Sequence, residues 1–135
     1  MFSKVVCILL LLTLGTAIYV LFRRDIIFVE MLPFSFPGIK VANPNVLMQF
    51  FIYNLPDALW YAALLVFMSI FVEKDCCNRY ILCFAVILPF CLEAGQYFHL
   101  LKGTFDVMDV ISYIITLIVC LWKLNLKDCF LRAFK

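Results

Sequence analysis

Apolar residues in this chain do not alternate with polar ones; they run in long blocks broken by short clusters of charge, proline and glycine. A helix needs about twenty mainly apolar residues to cross the hydrocarbon core of a bilayer. Four blocks approach that length: residues 5–22, 52–72, 80–98 and 106–122. The pattern predicts an all-α, polytopic membrane protein, a four-helix transmembrane bundle in a single domain over residues 1–135. The first block, with Lys4 before it and Gly15-Thr16-Ala17 within it, also has the form of a secretory leader. Because the apolar run continues through Ile18–Phe22, it is read as a retained helix.

Between the first two blocks, residues 25–44 hold Pro33, Pro37, Gly38 and Pro44 among aromatic residues. That density of breakers forbids a long helix, and the content predicts a re-entrant or interfacial loop lying on the membrane. In the second block, Pro56 predicts an interruption, with the regular helix running from Asp57 to Val72 after a preceding half-turn. Residues 73–79 form a polar turn, and 99–104 a short loop. The tail from Lys123 to Lys135 interleaves Leu124, Leu126, Phe130, Leu131 and Phe134 with basic residues, as an amphipathic segment at a membrane surface does.

Composition strengthens the membrane reading. Apolar residues make up 67% of the chain and charged ones 15%. A soluble domain of this length cannot bury so much apolar surface. The net charge of +2, with no basic block, gives no footprint for nucleic acid. With four spans both termini share a side, and seven basic residues fall on that side against four on the other. The bias predicts cytoplasmic termini. The seven cysteines sit mostly inside apolar runs, which suits small apolar filler better than a disulfide framework. No metal site is assigned.

Ionisable groups within or beside the spans carry the candidate chemistry, because a charge in hydrocarbon is costly. Asp57, Glu93, Asp106 and Asp109 all fall near one face of the membrane in the four-span arrangement. Glu93 and Gln96 are three apart and share a helix face; Asp106, Asp109, Tyr113 and Thr116 draw a second stripe on the next helix. Two such stripes joined by a short loop can face one another. For Asp57 and Asp106, capping of a helix start explains the residue as well as function does. Glu93 and Asp109, one turn deeper, point to function. His99 reads as interfacial filler.

The stretch Glu93-Ala94-Gly95-Gln96, followed by Lys102-Gly103-Thr104-Phe105-Asp106-Val107-Met108-Asp109, resembles the VanZ-like membrane proteins of bacteria, as does Leu55-Pro56-Asp57. The likeness covers roughly residues 55–121. Lys102 stands where arginine is common in that family, Tyr113 and Thr116 where many members carry asparagine and glycine, and Ala58 and Tyr61 where many carry lysine and histidine. The resemblance implies a bacterial inner-membrane protein of four to five helices, in a family named for an accessory protein of teicoplanin resistance. It implies no substrate and no cofactor.

The expected site is therefore an acidic mouth on the non-cytoplasmic side, formed by Asp57, Glu93, Gln96, Asp106, Asp109, Lys102 and Tyr113 and binding a cationic or lipid-linked ligand. Membrane lipid is the expected partner, and a homo-oligomer is compatible with the sequence. Two other classes stay open: a membrane enzyme using Glu93 or Asp109 as acid/base on a lipid headgroup, and a small oligomeric transporter or channel.

Overall fold

The computed structural model describes residues 1–22, 39, 41–73 and 79–124. Among them the regular elements are all helical: α1 (Phe2–Phe22), α2 (Val46–Gln49), a π-helical turn (Phe50–Asn54), α3 (Leu55–Glu73), α4 (Arg79–Tyr97) and α5 (Val107–Lys123). Three stretches are long and apolar enough to cross a membrane: Phe2–Phe22, Val46–Phe71 and Tyr80–Tyr97. Helix α5, with 17 residues, spans about 25 Å. Most of the interfacial loop, the 73–79 turn and the amphipathic tail expected from sequence lies outside the described residues.

Helix α3 is the centre of the molecule, and α1, α4 and α5 all pack on it. Its small and branched residues Ala63, Leu65 and Val66 are buried, and so is Leu82 of α4. The core joins Tyr61, Leu65, Val86, Tyr113 and Cys120, with Phe90 and Leu117 against it. Helix α1 lies along α3 through Gly15 and Tyr19, one turn apart on the same face. Leu9, Leu10 and Leu14 on its other sides are more than half exposed, which suits contact with acyl chains. At the far end Lys4 Nζ donates to Ser69 Oγ at 2.9 Å, and Ser69 in turn donates to the Val66 carbonyl at 2.7 Å.

One expectation needs correction. Pro56 does not interrupt the second span; the chain runs as continuous helix from Val46 to Glu73. Asn45 caps its start, its side chain accepting from the Met48 amide at 2.8 Å. The Leu55 amide then reaches back five residues to the Phe50 carbonyl. A proline within a helix lacks a donor, and its ring crowds the preceding turn. Widening that turn to a π-helix accommodates the ring without ending the helix. Pro56 is fully buried as a result.

Pro89 sits within α4 and leaves the Ala85 carbonyl without its helical donor. On the neighbouring residue, the Val86 carbonyl accepts the hydroxyl of buried Tyr61 at 3.0 Å, which ties α3 to α4 beside the proline. Tyr61, Phe90 and Tyr113 form a three-helix aromatic cluster, with centroids 5.6–6.4 Å apart and near-perpendicular rings.

The end of α4 gives His99 a structural role. The His99 amide donates to the Gln96 carbonyl at 3.0 Å, and the Leu100 amide to the Gly95 carbonyl at 2.8 Å. This is a Schellman closure, and His99 takes its left-handed position with φ 57°. Glycine is the residue best suited there. The variant His99→Gly is therefore expected to gain about 1 kcal/mol of stability. Thermal unfolding in detergent reads this as a raised midpoint; a lowered midpoint would contradict the cap assignment.

Cys7, Cys83, Cys91 and Cys120 are free thiols, as apolar filler residues are; the other three cysteines lie outside the described residues.

Candidate functional site

The C-terminal ends of α1 and α4 meet the N-terminal ends of α3 and α5. At this meeting point lies a cavity of about 390 Å³, within the size range of small-ligand sites. It is lined by Tyr19 from α1, Tyr53 from the π turn, and Asp57 from α3. Leu92, Glu93 and Gln96 of α4 line it as well. Gly103 and Thr104 of the loop and Asp106, Asp109 and Tyr113 of α5 complete the wall.

Each carboxylate has a protein donor. The Tyr19 hydroxyl donates to Asp57 Oδ1. Asn54 lies in the π turn and is only 4% exposed; its amide donates to Asp109 Oδ1 at 2.8 Å and faces Asp106 Oδ2 at 3.3 Å. The Asp106 amide points at Glu93 Oε2, 3.4 Å away. Glu93 is 6% exposed, so its carboxylate is held almost wholly inside the molecule. Such side chains cross hydrocarbon only when polar partners or water surround them.

Local sequence explains the placements. Asp106 adopts extended backbone (φ −126°, ψ 121°), and its Oδ1 accepts the Met108 amide at 2.9 Å. Capping and cavity lining are thus both done by this one residue. Asp57 is not a cap, because helix continues upstream of it through the π turn. Gly103 has φ 137°, a conformation that side-chain-bearing residues rarely adopt. A Cβ there would stand 2.7 Å from the Gln96 amide nitrogen, so the glycine lets the loop close over Gln96.

Six of the seven expected site residues therefore line one cavity: Asp57, Glu93, Gln96, Asp106, Asp109 and Tyr113. Lys102 does not line it and is exposed in the loop. Its neighbour Gly103 has the turn geometry, and the loop carries the lysine outward. Tyr19, Tyr53 and Asn54 were not legible as site residues. An asparagine two residues before a proline in an apolar run was the only signal for Asn54.

Among the described residues no lysine, arginine or histidine lines the cavity. Nor do any three acidic, cysteine or histidine side chains there draw together closely enough to hold a metal ion. The arrangement concentrates negative charge and hydrogen-bond acceptors in a small recess beside exposed Tyr53, Tyr97, Phe98 and Phe105. Aromatic residues of this kind favour the membrane–water boundary. The chain matches no protein-family model, no curated protein and no solved structure.

Proposed function

We propose that the protein is a four-span, VanZ-like membrane protein of the bacterial cell envelope whose interfacial cavity binds a cationic group of a ligand, without chemical turnover. The observation that carries this reading is the convergence of Asp57, Glu93, Asp106 and Asp109 on one cavity that no basic side chain among the described residues lines. Four carboxylates so placed repel one another when ionised, and a bound cation offsets that repulsion. Helix α5 is the fourth span, with Trp122 and Lys123 at its end in the manner of interfacial anchors. The distribution of basic residues favours cytoplasmic termini and an outward-facing mouth.

The test is the double variant Glu93→Gln, Asp109→Asn. These changes remove two charges and keep side-chain size. In cells lacking the native chain, the double variant is expected to reach the membrane at native levels. It is also expected to fail to restore growth under teicoplanin or other envelope stress that the native chain restores. Full restoration by the variant would overturn the binding-site reading.

A further inference from the structure

We infer that the group this cavity recognises is a primary alkylammonium, R–NH₃⁺, rather than a metal ion or a quaternary ammonium. The inference rests on the cationic-ligand reading above and narrows it to one chemistry.

The second observation behind it is Tyr113. This side chain is 8% exposed, lines the cavity, and packs its ring against Tyr61 and Phe90. Its hydroxyl has no hydrogen-bond partner among the described residues, although no fully enclosed polar side-chain atom there lacks one. The little exposure it retains therefore opens on the cavity. A hydroxyl so nearly enclosed and without a protein partner gains from a ligand donor or water.

The other polar groups are of the same kind. Glu93 meets a single backbone amide at 3.4 Å, whereas a carboxylate offers about four acceptor sites. Gln96 adds an amide whose nitrogen lies toward Gly103 and whose oxygen is a further acceptor. An ammonium has three N–H donors and no acceptor, so it matches a recess rich in acceptors. A quaternary ammonium has no N–H and gives a hydrogen bond neither to the Tyr113 oxygen nor to the remaining acceptor sites of Glu93. A divalent metal needs several oxygens drawn onto one point at about 2.0–2.6 Å. Here Asn54 and Tyr19 hold the aspartates against protein donors, and no metal-holding group forms among the described residues. The tyrosines Tyr19, Tyr53 and Tyr113 supply aromatic surface suited to a cation, and Leu92 supplies an apolar wall for the adjoining carbon chain.

The amine can be free in solution or the headgroup of an aminolipid, and the same experiment separates the two. The full chain, purified in neutral detergent at fixed ionic strength, is titrated with ethanolammonium, choline and magnesium chlorides while its thermal unfolding is followed. The same unfolding is followed in nanodiscs of phosphatidylglycerol with and without phosphatidylethanolamine. Ethanolammonium at saturation, or phosphatidylethanolamine in the discs, is expected to raise the midpoint by about 3–5 °C. Choline and magnesium are expected to raise it by less than a third of that. A response to the soluble amine assigns a free ligand, and a response confined to the discs assigns the lipid; either supports the inference. Glu93→Gln should abolish the shift, and Tyr113→Phe, which keeps the ring, should weaken half-saturation several-fold. Choline or magnesium matching the amine would overturn the inference and leave a cationic site standing. No response to any cation, or an amine response that survives Glu93→Gln, would overturn both.

Discussion

The variant Gly15→Val is expected to detach α1 from α3 and lower the stability of the protein by about 1–3 kcal/mol, the usual cost of overfilling a packed contact. A Cβ at position 15 would lie 2.6 Å from Cδ1 and Nε1 of Trp60 and 3.2 Å from the Pro56 carbonyl oxygen. The tryptophan can turn aside, but the carbonyl belongs to the helix backbone and cannot. Separation of the helices also loosens the tilted Tyr19–Trp60 ring contact, with centroids 5.1 Å apart, and the Tyr19–Asp57 hydrogen bond one helical turn further along. Equilibrium unfolding in mixed micelles measures the effect. A parallel cycle with Trp60→Ala should recover part of the loss, because the ring accounts for the closest contacts. An unchanged midpoint for Gly15→Val would show that α1 does not depend on this approach.

The second large effect is expected at Asn54. Asn54→Leu removes the donor that links Asp106 and Asp109 and puts an apolar side chain against both. Hydrogen bonds to charged groups contribute about 1.5–3 kcal/mol each, and the half-buried aspartates regain part of this from cavity water. The net loss is expected at about 2–3 kcal/mol by the same accounting. Asn54→Asp replaces a donor with a third carboxylate between two others. The repulsion exists only while the groups are ionised, so the penalty shrinks as acid neutralises them. Unfolding midpoints of the two variants at pH 7 and pH 4 separate the effects: the Asn54→Asp deficit narrows with acid. A deficit that widened with acid would contradict the bridge.

Much of this arrangement can be read from residue spacing. The apolar runs locate α1, α3, α4 and α5 to within a few residues, because lipid-sized helices leave long unbroken blocks. The pairing of Glu93 with Gln96, and of Asp106 with Asp109 and Tyr113, follows from helical offsets of three and four. What escaped lies between helices. Tyr19 is one aromatic among many in an apolar block, and its meeting with Asp57 depends on how far α1 slides along α3, which no local pattern records. Asn54 was obscured by Pro56, since the rule that proline ends a helix does not anticipate a π turn that absorbs it. That same widened turn carries Tyr53 and Asn54 to the cavity, so the misjudged break and the missed residues share one cause. Lys102 departs the other way: it belongs to the family-like run with Gly103 and Asp106, yet it does not line the cavity.

The position of α1 bears on how the chain is made. It packs on α3 and the π turn, and its partner residues begin about thirty positions after its own last turn. A ribosome therefore delivers α1 to the bilayer before Trp60 and Asp57 have entered it. Through that interval the helix stands alone among acyl chains, and its uniformly apolar surface allows it to wait there. Tyr19, near its end, is then at the boundary where a phenol can reach water until Asp57 arrives. Assembly is a matter of a waiting helix being met by a later one, and Gly15 marks the place where they close.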